Sequence, residues 1–139
     1  MRINLVDPKN LTDQHLIAEY HELLMALHAL ERNINVKSNI PDSFCLGSGH
    51  INFFKNKIEY LKDRHCALRI EMIRRGFKPQ LKADISKFPQ HLINNWQPDE
   101  KDLSIIKERL VDRISQKPEW YRYFGKHFPE KYYTNLLNV

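Results

Sequence analysis

The run Met1-Arg2-Ile3-Asn4-Leu5 lies a short loop ahead of Thr12-Asp13-Gln14-His15-Leu16-Ile17-Ala18-Glu19-Tyr20-His21-Glu22-Leu23. A backbone amine thus stands near a segment rich in carboxylates and histidines, and that pairing can do imine chemistry. An α-amino group titrates near about 7.7 to 8.0, against about 10.4 for lysine, so at neutral pH a useful fraction is unprotonated and nucleophilic. The same segment has helical spacing. Leu16, Tyr20, Leu23, Leu27 and Leu30 alternate at steps of four and three and form one apolar face, with Thr12 as N-cap and an end near Arg32. His15, Glu19 and Glu22 then share a neighbouring face, with Glu22 at the edge of the apolar stripe. Two carboxylates at i and i+3 usually only solvate a helix, so a paired-carboxylate hydrolase is weakly supported.

A second helix is predicted from Gly49-His50 to Arg75, with the stripe Ile51, Phe54, Ile58, Leu61, His65, Leu68 and Met72. Gly76 is its left-handed C-terminal residue. His65, alone among apolar positions, is read as a core histidine with one hydrogen-bond partner. Residues 77 to 97 look irregular but carry Phe88, Leu92, Ile93 and Trp96, which should pack down. Pro98-Asp99-Glu100 opens a third helix that runs to about Lys117, burying Leu103, Ile106, Leu110 and Ile114 and turning Lys107, Arg109, Arg113 and Lys117 outward. Pro118 ends it, and the tail after Pro129 is expected to be loosely held. The fold class is therefore all-α: a compact single domain over residues 1 to 139, with three main helices and an aromatic-rich C-terminal segment.

That segment, Lys117-Pro118-Glu119-Trp120-Tyr121-Arg122-Tyr123-Phe124-Gly125-Lys126, interleaves aromatic rings with bases. Rings stack on unpaired nucleobases and cations hold phosphates, so the composition suits locally opened nucleic acid. Trp120 and Phe124 are expected to pack inward, and Tyr121, Arg122, Tyr123 and Lys126 are candidate DNA contacts. The formal charge of +5 also points to an anionic partner. Between Lys55 and Lys87 ten bases face four acids, an excess larger than that of the whole chain. Leu46-Gly47-Ser48-Gly49-His50 lacks the lysine and spacing of a phosphate-binding loop, and His50 could be a helix-entry residue, a phosphate contact or a lesion-site group.

Two distant cysteines signal neither a disulfide framework nor a zinc site. No stretch nears the roughly 20 apolar residues that span a bilayer, and the N-terminus does not read as a signal peptide. A cytoplasmic, nucleoid-associated protein without a membrane anchor is expected.

The segments 2 to 5, 13 to 23, 46 to 54, 75 to 77 and 120 to 126 together resemble the pyrimidine-dimer DNA glycosylase/abasic-site lyase family, in order and at suitable spacing over nearly the whole chain. The resemblance implies a compact helical enzyme acting on duplex DNA that contains a damaged base; no metal or cofactor is expected, and a monomer is the expected state. The N-terminal amine attacks carbon 1′ of the damaged nucleotide, the base leaves, an imine forms, and β-elimination breaks the strand. Glu22 occupies the family's essential glutamate position. Arg2 and His15 match positions that contact the lesion or its phosphates, and Arg109, Arg113 and Lys117 match a basic series along the backbone.

The chain departs from the family pattern at three places. The family nucleophile is a threonine exposed by removal of methionine, whereas Arg2 is too large for methionine aminopeptidase, so the deformylated amine of Met1 is the expected nucleophile. His21 and Met25 stand where the family carries arginines near the lesion phosphates. Charged hydrogen bonds to phosphate contribute roughly 1.5 to 3 kcal/mol each, so the losses weaken lesion affinity or change which lesion fits. The same amine chemistry on another damaged base, and a non-catalytic DNA-binding domain, are the alternatives.

Overall fold

In a computed structural model that describes residues 2–37 and 39–138, the all-α expectation holds: helices α1 (Asp13–Arg32), α2 (Ile58–Arg74), α3 (Glu100–Gln116) and α4 (Glu130–Leu137) surround one core, and among the described residues there is no strand beyond the isolated Tyr123 to Lys126 bridge. None of these helices is long and apolar enough to cross a membrane.

Helix α1 begins where its cap requires. The Thr12 hydroxyl accepts the His15 amide, and Leu16, Tyr20, Leu23, Leu27 and Leu30 are all buried. Each buried side chain of this size contributes about 1.5 to 3 kcal/mol of transfer free energy. Helix α3 opens with a capping box between Asp99 and Asp102 and buries Ile106, Leu110 and Ile114, with Leu103 half-buried.

Helix α2 begins later than its spacing predicts. Gly47 (φ +71°) and Gly49 (φ +89°) force turns before it, a short 3-10 turn covers Asn52–Phe54, and Lys57 leaves helical geometry at φ −133°. The apolar stripe runs through this break unchanged, which is why the periodicity overstates the helix. Its end is as expected: Gly76 adopts φ +88°, and the Phe77 and Gly76 amides reach back to the Met72 and Ile73 carbonyls as a Schellman closure. His65 is a buried core histidine, stacked 5.0 Å from Tyr20 with Nε2 3.1 Å from the Tyr20 carbonyl, and burial pushes its pKa down.

The basic excess of residues 55 to 87 is partly internal. Arg64 clasps the carboxylate of Glu19 through Nε (2.7 Å) and Nη2 (3.0 Å), with both side chains buried. Arg75 joins Glu71 (2.8 Å) to Asp13 (2.9 Å) beneath the rings of Tyr123 and Phe124, and Lys55 donates to the Val36 carbonyl.

The segment after Pro129 is a fourth helix rather than a loose tail. Eight residues are too few to hold a helix in water by themselves, so the stability comes from tertiary contacts. Tyr133 and Leu137 are buried; the Tyr133 hydroxyl donates to the Tyr121 carbonyl (2.8 Å) and accepts the Phe128 amide (2.9 Å). Tyr133→Phe is expected to leave these groups unpaired at a cost of about 1 to 3 kcal/mol, visible as a fall of roughly 5 °C or more in the thermal midpoint. A midpoint unchanged from wild type would show that α4 does not depend on that hydroxyl.

Candidate active site

The residues that could do chemistry meet in a cavity of about 160 Å³ lined by Arg2, Asn4, His15, Ala18, Glu22, Arg109, Leu110 and Arg113. Three elements build it. His15, Ala18 and Glu22 recur at helical spacing along one side of α1, with the small Ala18 leaving room between the two functional side chains. Arg109 and Arg113, one turn apart on α3, face them, and the N-terminal arm contributes Arg2 and Asn4. A larger hollow of about 590 Å³ on α3 shares Arg109 but is lined by Leu46, Ile105, Glu108, Val111, Asp112 and Ser115. It gathers none of the other candidate residues, so size does not mark the site.

The cavity is cationic: three guanidiniums face one carboxylate. Partial burial, then the neighbouring charges of Arg2 and Arg113, push the Arg109 pKa down against the opposing pull of Glu22. Crowding of this kind favours a bound anion. His15 is neutral at physiological pH, because burial and then Arg109 and Arg113 lower its pKa to about 4. Its ring stacks on Tyr121 at 4.9 Å, and Nδ1 lies 3.0 Å from the Thr12 hydroxyl. In the tautomer in which that hydroxyl donates to Nδ1, Nε2 carries the proton and can donate to a phosphate oxygen.

Met1 lies outside the described residues. Glu22 is half-buried, at the edge of the α1 stripe, whereas Glu19 is turned into the core and held by Arg64, so the two carboxylates do not form a pair. His21 is exposed, edge-on to Tyr20 at 4.8 Å, and Met25 is 56 % exposed. Lys117, Arg122 and Lys126 are exposed beyond the cavity.

The aromatic segment is arranged opposite to its expected sense. Trp120 is 60 % exposed and Phe124 lies at the surface, whereas Tyr121 is only 6 % exposed, with its hydroxyl 3.4 Å from the Arg113 carbonyl. Tyr121 therefore supports His15 and is closed to nucleobases. Tyr123 is half-buried; its hydroxyl donates to the Lys9 carbonyl (2.8 Å) and its ring covers Arg75. The physical reason is Asp13, whose carboxylate accepts the Phe124 (3.1 Å) and Gly125 (2.7 Å) amides and ties this loop to the start of α1. Gln14 closes the clamp by donating to the Trp120 carbonyl and accepting the Arg122 amide.

His50 is also internal, at 1 % exposure. Nδ1 lies 2.8 Å from the Cys45 carbonyl and Nε2 accepts the Ile3 amide at 2.9 Å. Of its sequence readings, the phosphate and lesion contacts are closed off, because both ring nitrogens serve the protein's own backbone.

Sequence reasoning missed Asn4, Ala18, Asp13 and Gln14. The first two sit between recognised residues, and their small or polar character was the available signal. The roles of Asp13 and Gln14 depend on partners more than 100 positions away, so local spacing could not reveal them.

A helical protein with a small cationic cavity, a neutral histidine and one carboxylate is a class suited to gripping a phosphate-bearing backbone. Residues 1–85, more than half of the chain, match the family of pyrimidine dimer DNA glycosylases. The chain belongs to that family, which makes it a DNA repair glycosylase with DNA as its substrate. The matched span carries Arg2, His15, Glu22 and His50; Arg109 and Arg113 reach the cavity from α3, beyond it.

Proposed function

We propose that the protein is a glycosylase and abasic-site lyase for cyclobutane pyrimidine dimers in duplex DNA, that it acts as a monomer with residues 1 to 139 as one catalytic domain, and that the α-amine of Met1 is its nucleophile. The observation that carries this reading is the shared lining of one cavity by Arg2, His15, Glu22, Arg109 and Arg113. Ligand sites usually occupy about 300 to 1,000 Å³. A cavity of about 160 Å³ suits a sugar and its phosphate better than an extruded dinucleotide, and carbon 1′ of that sugar is the atom under attack.

In the proposed reaction the unprotonated amine forms a bond to carbon 1′ and the glycosidic bond breaks, its electron pair leaving with the base. The sugar ring then opens: the nitrogen lone pair freed by loss of one amine proton forms the C=N bond, the ring oxygen leaves carbon 1′ with the C–O electron pair and takes that proton, and the product is a protonated imine at carbon 1′. Glu22 stabilises the developing positive charge and takes the 2′ proton; the electrons of that C–H bond form a double bond and expel the 3′ phosphate. Hydrolysis of the imine then returns the amine. Arg2, Arg109 and Arg113 hold the flanking phosphates, and His15 adds a neutral donor. Lys117, Arg122 and Lys126 extend the cationic track, and the exposed Trp120 offers a stacking face.

A second reading keeps the imine chemistry but changes the base. It is favoured by the exposed surface at His21 and Met25, which lacks the arginines the family resemblance leads one to expect.

Sodium borohydride trapping of untagged protein separates the possibilities. Covalent capture on thymine-dimer duplex is expected, alongside capture on an abasic duplex and none on undamaged DNA. Capture on abasic DNA alone would favour the second reading, and capture on neither would leave only DNA binding. Intact-mass analysis accompanies the trap: a chain that starts at Arg2, or remains formylated, removes the proposed nucleophile.

A further inference from the structure

We infer that His50 is a positioning residue for the imine reaction: through its bond to the Ile3 amide it sets the course of the chain from the core to the N-terminal amine. The inference rests on the amine mechanism proposed above and adds to it a residue that touches neither DNA nor the reacting atoms.

The N-terminal arm has no helix or sheet ladder of its own between Arg2 and Leu5. Ile3 is fully buried and anchors it by packing, but an isoleucine side chain does not fix the rotation of the peptide plane before it. That plane carries the Ile3 amide, and its orientation is fixed by Nε2 of His50 at 2.9 Å. His50 is itself held from the other side by the Cys45 carbonyl at 2.8 Å and by edge-on contacts to Phe44 (5.3 Å) and Phe54 (5.7 Å). The arm is thereby joined to the aromatic cluster that also contains Phe53 and Trp96.

The ring must be neutral to do this. A carbonyl on one side and an amide on the other require the proton on Nδ1 and a lone pair on Nε2. Burial, and then the adjacent charges of Arg2 and Arg109, hold the pKa of His50 at about 4 despite the opposing carbonyl of Cys45, so the required form dominates at physiological pH. Phenylalanine would keep the ring and lose both bonds. Glutamine would keep an acceptor near the Nε2 position.

Two residues of chain span at most about 7 Å, so freeing the Ile3 peptide plane lets the chain end swing by several ångströms. Attack requires reacting atoms about 3 to 3.5 Å apart, and a misplacement of about 1 Å can cost 10²-fold in rate. The effect falls chiefly on the chemical step: the phosphate contact of Arg2 moves with the arm, but those of Arg109 and Arg113 come from α3 and stay in place.

The test compares wild-type, His50→Phe and His50→Gln proteins in single-turnover borohydride trapping on abasic duplex, together with affinity for a duplex bearing a tetrahydrofuran abasic analogue. His50→Phe is expected to trap about 10²-fold more slowly with its affinity lowered by no more than about tenfold, the loss of the Arg2 contact alone, and His50→Gln to recover at least about tenfold of the lost rate. Equal rates for wild type and His50→Phe, or a loss of affinity as large as the loss of rate, would overturn the inference. Nitrogen NMR of the wild-type protein provides a check that needs no folded variant: an unprotonated Nε2 with scalar coupling to the Ile3 amide is expected, and a proton on Nε2 overturns it. Wild-type protein that traps on no duplex sinks the amine mechanism and this inference together, whereas equal trapping by wild type and His50→Phe sinks this inference alone.

Discussion

The Glu22→Gln protein is expected to bind lesion-containing duplex as well as wild type or better, and to leave it uncut. Glutamine keeps the volume and a hydrogen-bonding oxygen, so the half-buried position on α1 should repack without strain. What it loses is the negative charge and the ability to take a proton. General base catalysis contributes about 10²- to 10⁴-fold, and stabilisation of the cationic imine adds to that, so strand cleavage should fall by at least about 10³-fold. The sign of the binding effect follows from the lining. With the single carboxylate neutralised, Arg2, Arg109 and Arg113 present their charge to phosphate unopposed. Single-turnover cleavage and a binding titration at fixed salt separate the two effects. A Glu22→Gln enzyme that cuts near the wild-type rate would remove the acid/base assignment, and one that fails to bind would show the carboxylate to be structural.

What could be read from the chain, and what could not, divides by the range of the interactions involved. Thr12 and the leucine stripe placed α1, Asp99 placed α3, and Gly76 placed the end of α2, because each signal acts within one or two helical turns. The start of α2 was overestimated because apolar spacing survives a break that only the two glycines and Lys57 create. Helix α4 was invisible because its stability rests on Tyr133 reaching Tyr121 and Phe128. At the site, His15 and Glu22 were legible as neighbours on one helix. Their meeting with Arg109 and Arg113 was not, because nothing local specifies that α3 faces α1; those two arginines came from the family resemblance. Burial in the 120 to 126 segment is not legible in the sequence, since an irregular loop has no period to distinguish the buried Tyr121 from the exposed Trp120. Glu19 shows the same limit. Its place on α1 suggested a partner for Glu22, and only Arg64, 45 positions away, explains why it turns inward.

That ion pair is the basis of the largest stability effect to expect. Arg64→Ala leaves a fully buried carboxylate without its bidentate partner and strips the Val6 carbonyl of its donor. Removing one member of a buried pair typically costs about 3 to 5 kcal/mol. For a chain of this size that corresponds to a fall of roughly 10 to 20 °C in the thermal midpoint. The double variant Glu19→Leu/Arg64→Met should regain most of the loss, because apolar groups of similar volume replace both charges and their desolvation penalty. A drop of only a few degrees for Arg64→Ala would mean that Glu19 escapes to water or takes up a proton at little cost. The double variant also separates stability from function. Arg64 grips the N-terminal arm at Val6, on the far side of Leu5 from the Ile3 anchor, and Leu5 itself sits at φ +55°, a conformation that a side-chain-bearing residue adopts only when its surroundings impose it. If the double variant is stable but traps abasic DNA slowly, the buried pair is there to hold the arm. If it is stable and fast, the pair serves the fold alone and the arm is set by His50.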